Sequence, residues 1–264
     1  MKLFPSFFLI SCLILLLPVP SLSNLKAISH KTEGYLHRAL DEVQSYTETF
    51  KKALDHLFSS KLAKVLPLFP LKPKDGKVNV VTYTSFNYSQ INLPAQYHLT
   101  REIWVSSVEE IQSICQKWES RGQKLKMRLL QLLGLRPENK MTHFVVFSVP
   151  IDRIYRPSPN PDPTSIYPCG HELTADCQEL LALRNLTEQQ QKIASWLNET
   201  LKVGPRSAGY PWTGLGYTFD WSPDSRDNYG VSEYIIMSHT NVTIQKIVSE
   251  EEFCSHHQYA LIVQ

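Results

Sequence analysis

The positions of the cysteines limit the folds open to this chain, because each disulfide holds two segments side by side. The 264 residues include five cysteines, of which Cys12 lies in an N-terminal apolar segment. An even number in the rest of an exported chain predicts two disulfides, for which more than one pairing is possible. Cys169 and Cys177 are close in the sequence, which favours a local bridge between them. We therefore predict a second, long-range bridge between Cys115 and Cys254.

Residues 1–23 have the organisation of a cleavable secretion signal. Lys2 precedes the apolar run Leu3–Leu17, and helix-breaking prolines and small residues follow. Because signal peptidases recognise small residues just before the cleaved bond, we expect cleavage after Ser23. The alternative, a permanent N-terminal anchor, is disfavoured because a transmembrane helix needs roughly 20 apolar residues. No second long apolar segment follows, so the sequence predicts a secreted or periplasmic protein whose mature chain has no membrane span.

After the signal, the sequence divides into a helical segment, a linker and one domain. In residues 24–66 apolar side chains recur at helical spacing: Leu36, Leu40, Val43, Phe50, Leu54 and Leu57. This spacing predicts a long amphipathic helix that packs on the domain, projects from it, or pairs with a second copy as a coiled coil. Residues 67–77, with prolines and alternating lysines, predict a linker. Residues 78–264 are enough to bury a substantial core, and we expect them to form a single domain.

Helices and strands are interspersed in the predicted domain. We predict strands over Val78–Phe86, Arg101–Val105, Phe144–Val149 and Tyr259–Val263, and helices after Ser107, from Gln123 to Gly134, from His171 to Leu183 and from Thr187. Ser106 and Ser107, followed three residues later by Glu109 and Glu110, offer a capping box for the first of these helices. Phe144–Val149 is continuously apolar, which is typical of a strand covered on both faces. Val231–Met237 and Val242–Val248 flank a short polar segment and predict a β-hairpin. This order predicts an α+β fold with a mixed or antiparallel sheet and packed helices.

Charge and motifs exclude several functions. The formal net charge is +2 at pH 7, without a basic stripe, so we expect no nucleic-acid binding. The sequence lacks the G-x-S-x-G motif of hydrolases and the phosphate-binding loop G-x-x-x-x-G-K-[ST]. His171-Glu172 does not begin an H-E-x-x-H zinc motif, because Ala175 stands at the position of the second histidine. We therefore predict neither a metal site nor a cofactor.

The segment Gly209–Trp221 is the candidate binding surface, because it combines five aromatic residues with three glycines. Tyr217, Phe219 and Trp221 alternate, so in an extended strand they would share one face. One interpretation is structural: the aromatic rings fill a small core and the glycines allow tight turns. The other is functional, with rings that stack on sugars or on aromatic side chains of a protein partner. The candidate binding residues are Tyr210, Trp212, Tyr217 and Trp221.

Two pairs of charged residues are candidate catalytic groups. Asp220 and Glu233 would suit glycoside hydrolysis if the fold brought them together. Arg153 and Arg156 follow a predicted buried strand closely and could bind a phosphate or a carboxylate. A structural alternative is that an arginine pairs with a nearby aspartate and holds the proline-rich loop that follows.

The sequence favours an exported binding or interaction protein without catalytic activity, which uses the aromatic, glycine-rich segment as its contact surface. The alternative is a cell-envelope or extracellular hydrolase that acts on a carbohydrate or an anionic substrate. Catalysis requires the charged side chains to converge in a cleft, whereas binding requires only accessible rings. The positions of these side chains in the fold therefore bear on both hypotheses.

Overall fold

The computed structural model describes residues 66–88, 91–119, 121–167 and 210–255, together with parts of 33–55 and single residues between 169 and 195. Contacts divide the chain into two compact units, Met1–Gln44 and Ser45–Gln264, and the second is described below. The predicted signal and the predicted strand Tyr259–Val263 lie outside the described residues, and the predicted helices between 171 and 201 lie mostly outside them. The helix predicted within 24–66 also lies mostly outside them, although residues 45–53 are helical where described.

The described part of the second unit is built on an antiparallel sheet of eight strands. The strands are β1 (Lys77–Thr84), β2 (Ala95–His98), β3 (Ile103–Ser107), β4 (His143–Pro150), β5 (Ile154–Tyr155), β6 (Tyr217–Phe219), β7 (Tyr229–Ile236) and β8 (Asn241–Val248). Their order is β2-β8-β4-β1-β3-β7-β5, and β6 pairs with β7 beside this path. The long pair β1–β4 lies at the centre. The α+β class with an antiparallel sheet agrees with the prediction from the sequence.

In the part of the chain that the structure describes, the helices that pack with this sheet include α1 (Val108–Cys115), α2 (Gly122–Leu132) and the short α3 (Glu250–Phe253). The serine half of the predicted capping box of α1 is confirmed, because the Ser107 hydroxyl accepts a hydrogen bond from the Glu110 N–H. The predicted end of α2 is also confirmed. Gly134 adopts a φ of 62°, and the Leu135 N–H donates to the Leu130 carbonyl at 2.8 Å. Glycine at this position allows the left-handed turn that ends many helices.

The hairpin predicted from β7 and β8 is wrong. β7 pairs with β3, β5 and β6, whereas β8 pairs with β2 and β4. Instead, β2 pairs with β8 and β3 pairs with β7, both antiparallel. The connection from β2 to β3 and the connection from β7 to β8 therefore lie side by side and form a shared corner. At this corner Leu99 exchanges backbone hydrogen bonds with Thr240 (2.9 Å) and His239 (2.7 Å). The polar segment between β7 and β8 therefore redirects the chain to another part of the sheet instead of reversing it.

Apolar side chains cover both faces of the sheet. The cluster on the helical face includes Val81, Ile111, Leu129, Val146 and Phe253. The cluster on the opposite face includes Val80, Val105, Phe147, Tyr234 and Ile244. Strand β4 contributes alternate residues to the two clusters, which confirms that this strand is buried on both faces.

The two predicted disulfides are confirmed. Cys115 at the end of α1 pairs with Cys254 after α3, with their Cα atoms 5.3 Å apart. Cys169 pairs with Cys177, with a Cα separation of 5.9 Å. Within the described residues, no helix combines the length and the apolar character that crossing a membrane requires.

Candidate functional site

A cavity of about 890 Å³ lies against strands β1–β3, the end of α2 and the segment 210–212. This volume falls within the range of small-molecule sites, which are mostly apolar with a few polar groups. Its aromatic lining includes Phe86, Tyr88, Tyr97, Trp104, Tyr210 and Trp212. The walls come from segments far apart in the sequence, so that the cavity exists only in the folded chain.

Several of these rings are accessible. Phe86, Trp104 and Tyr210 have exposed fractions of 47, 41 and 37%. The indoles of Trp104 and Trp212 stand nearly perpendicular, at 86°, with ring centres 6.0 Å apart. Large aromatic side chains usually bury more of their surface, so that several accessible rings around one cavity indicate a surface for a ligand.

Glu233 is a buried carboxyl in the lining of this cavity. It lies on β7 opposite Ser106 of β3 and is 7% exposed. Burial raises the pKa of Glu233 to about 8, although the Trp212 indole N–H and the Arg156 guanidinium lower this pKa. The indole of Trp212 is therefore a direct neighbour of this carboxyl.

Asp220, the carboxylate proposed to act with Glu233, is held in an ion pair. Its two carboxylate oxygens accept from Arg128 at 3.0 and 2.6 Å, and one of them also accepts from the Ser222 N–H at 3.0 Å. The guanidinium of Arg128 in turn lies 4.8 Å from the centre of the Trp118 ring. Asp220 is 2% exposed, and these contacts describe a structural ion pair.

The two candidate arginines lie in different surroundings. Arg153 is about half exposed and pairs with Asp152 at 3.8 Å. Arg156 is fully buried, and its guanidinium lies 4.8 Å from the centre of the Tyr234 ring. Its Nη atoms donate to the backbone carbonyls of Phe69, Pro163, Ser165 and Gly216 at 2.9–3.4 Å. Arg156 therefore joins the proline-rich loop to the sheet, and its Nη atoms donate to the protein itself.

The aromatic, glycine-rich segment is divided between the cavity and the core. Tyr210 and Trp212 line the cavity. Tyr217 is buried against Tyr229, with ring centres 4.9 Å apart, and the buried indole of Trp221 donates to the Leu135 carbonyl at 2.8 Å. The expectation that Tyr217, Phe219 and Trp221 share one face is wrong. The register of β6 on β7 shifts between Tyr217 and Phe219, so that Tyr217 joins a separate cluster from the other two.

Glu110 is a second buried carboxyl, and the sequence suggested only a capping role for it. Its oxygens accept from the Ser232 N–H at 2.9 Å and from the Tyr229 hydroxyl at 3.1 Å. Burial raises the pKa of Glu110 to about 7, although these hydrogen bonds and the nearby Arg156 lower this pKa. Glu110 thus connects α1 to β7, with its carboxyl directed away from the cap.

The sequence reasoning missed the residues that β1–β3 contribute to the cavity. Trp104 gave a signal, because strand alternation puts it on the face opposite Ile103 and Val105. That signal did not show which face is accessible. Within the described residues, no group of three His, Cys, Asp or Glu side chains is placed to hold a metal ion. Comparison with known proteins gives no match to a family model, a curated protein or a solved structure.

Proposed function

We propose that this is a non-catalytic binding protein that accepts a small ligand with a flat ring in the aromatic cavity. The observation that carries the proposal is a cavity whose lining combines accessible aromatic rings with the buried carboxyl of Glu233. Aromatic walls provide contact area, and a few polar groups give orientation, which is the usual composition of a small-molecule site. The flat faces of sugars and of aromatic compounds both suit such walls.

The surroundings of Asp220 favour binding over glycoside hydrolysis. Hydrolysis by paired carboxylates needs a second carboxylate that is free to act as nucleophile or base. Asp220 directs its oxygens to Arg128 and to the Ser222 N–H. Arg156 likewise donates to carbonyl groups of the protein. The hydrolase alternative would therefore need other partners for Glu233.

We also propose that the protein acts outside the reducing cytoplasm. Cys115–Cys254 and Cys169–Cys177 form bridges, and disulfides persist mainly in oxidising compartments. Together with the signal-like residues 1–23, these bridges support secretion or export to a periplasm. An intact-mass measurement on protein from its native host would test this, because residues 1–23 should be absent.

The binding proposal can be tested with phenyl β-glucoside, which carries both an aromatic ring and a sugar ring. We expect saturable binding to the disulfide-bonded protein in an NMR titration, with at least tenfold weaker binding after Trp104→Ala. The matched control is Tyr167→Ala, because Tyr167 is 57% exposed and does not contribute to the cavity lining. Absence of binding, or equal losses in both variants, would contradict the proposal.

A further inference from the structure

We propose that the ligand of the aromatic cavity is a short extended peptide with an aromatic side chain, whose backbone pairs with the open edges of β1 and β3. This inference rests on the proposed function and specifies the ligand chemistry of the same site. It distinguishes peptides from sugars and from aromatic compounds without a peptide backbone. The observation that carries it is a split in the sheet beside the cavity.

The split lies between β1 and β3. Strand β1 pairs with β4 along its whole length, and β3 pairs with β7 along most of its length. With each other, β1 and β3 pair only at Val80–Ser107 and Val81–Ser106. Both strands continue beyond this short ladder for three residues each, 82–84 in β1 and 103–105 in β3. In the described part of the chain, neither stretch has a strand partner on the side of the split.

The cavity lies in this split and not on one face of the sheet. Successive side chains of a strand point to opposite faces, so a cavity on one face is lined by every second residue. Here the lining contains consecutive residues of both strands, 81–84 of β1 and 103–106 of β3. It includes Tyr83 from the apolar cluster on the helical face and Val105 from the cluster on the opposite face. The cavity therefore reaches both faces through the gap between the two strand edges.

An open strand edge determines which chemistry can occupy such a gap. The edge presents a row of backbone N–H donors and C=O acceptors, and buried backbone groups in proteins are almost always hydrogen-bonded. Val81 and Val105, which flank the split, are buried. An extended peptide supplies donors and acceptors at the same spacing as the row, which is how peptides add to open sheet edges. A compound without amide groups leaves this row unpaired.

The size and the lining of the cavity suit a peptide of about three residues. Three residues of an extended chain span about 10 Å, which equals the length of each strand beyond the ladder. Ile103 and Val105 pack in the cluster opposite the helices, so alternation places Trp104 on the helical side of β3. Trp212 lies beside it, with ring centres 6.0 Å apart. An aromatic side chain at the centre of the peptide therefore fits on this side, and its two neighbours point towards the side of Tyr88.

Two peptides test the role of the ligand backbone: acetyl-Thr-Tyr-Thr-amide and the same peptide with a methyl group on the tyrosine nitrogen. In a strand between two others, each N–H points to one neighbour or the other, so the methyl group removes a donor and blocks close approach. Dissociation constants would be measured by NMR titration of the disulfide-bonded protein at pH 7. We expect the unmethylated peptide to bind at least tenfold more tightly than the methylated one and to compete with phenyl β-glucoside.

Hydrogen exchange of the backbone amides tests where the peptide binds. With the peptide bound, at least one amide in residues 82–84 and at least one in residues 103–105 should exchange at least tenfold more slowly, because new hydrogen bonds protect them. The control is β5, which ends the strand order on the other side of β7 and does not contribute to the cavity lining. Exchange of the amides of Ile154 and Tyr155 should stay unchanged.

The outcomes separate this inference from the proposed function. Equal binding of the two peptides, or slower exchange in fewer than both stretches, would overturn the pairing with β1 and β3 while leaving the cavity as a binding site. Binding of phenyl β-glucoside without binding of the unmethylated peptide would have the same consequence. Binding of neither the peptides nor the glucoside would overturn both proposals.

Discussion

Replacing Glu233 with glutamine should stabilise the folded protein at pH 8 and change its stability little at pH 5. In the folded state burial raises the pKa of Glu233 from 4.5 to about 8. Between these two pH values the folded protein holds more protons than the unfolded chain, so its stability falls as the pH rises. Stability from this group is fully present below pH 4.5, and the loss levels off above pH 8.

The magnitude follows from the width of this pH window. One pH unit within it corresponds to about 1.4 kcal/mol per group. From pH 5 to pH 8, Glu233 lowers the free energy of unfolding by about 3 kcal/mol. Glu110, whose pKa burial raises to about 7, lowers it by about 2 kcal/mol more over the same range. Glu233→Gln should remove the larger contribution and leave that of Glu110.

Urea unfolding at several pH values, with the disulfides intact, measures this effect directly. The control is Glu102→Gln, because Glu102 lines the same cavity but is exposed, and its replacement should leave the pH dependence unchanged. A Glu233→Gln variant that loses as much stability from pH 5 to pH 8 as the wild type would refute the reasoning. That result would mean that Glu233 is solvated or paired in the folded protein.

Two further predictions concern residues that stabilise the fold around the site. Gly216→Ala should lower the free energy of unfolding by about 2–4 kcal/mol, because φ is 78° and a Cβ would lie 2.6 Å from Cγ of buried Arg156. The control Gly76→Ala, with a φ of 71° and no atom within 4 Å of the new Cβ, should lower it by about 1 kcal/mol. Equal losses for the two variants in urea unfolding would contradict the predicted clash with Arg156. Asp220→Asn should cost about 2 kcal/mol by weakening two charge-assisted hydrogen bonds from Arg128, and a double-mutant cycle with Arg128→Met that gives no coupling would contradict this.

Local features of the fold could be predicted where neighbouring residues determine the structure. The Ser107 cap, the glycine-ended helix at Gly134 and the buried strand Phe144–Val149 all depend on residues within a few positions of one another. The predicted hairpin between β7 and β8 was wrong because the local pattern does not distinguish it from other structures. A polar segment between two apolar runs has the same local pattern whether the chain reverses or turns a corner. Only pairing with the distant strands β2 and β3 makes this segment a corner.

The candidate site could be predicted only in part, because long-range contacts decide which rings are accessible. Tyr210 and Trp212 were identified from the composition of the aromatic, glycine-rich segment, and both line the cavity. Tyr217 and Trp221 belong to the same segment but are buried, because a register shift in β6 and the end of α2 determine their surroundings. Trp104 lies more than a hundred residues from Trp212 in the sequence, and no local pattern joins them.

The indole N–H resonances of the five tryptophans test the central claim most directly. In a ¹H–¹⁵N spectrum of the disulfide-bonded protein, saturation with phenyl β-glucoside should shift the Trp212 resonance more than the Trp221 resonance, because the Trp212 indole lines the cavity beside Trp104. The Trp221 resonance should stay in place, since this N–H already donates to the Leu135 carbonyl. An unmoved Trp212 resonance at saturating ligand, or a larger shift at Trp221, would contradict binding in the aromatic cavity.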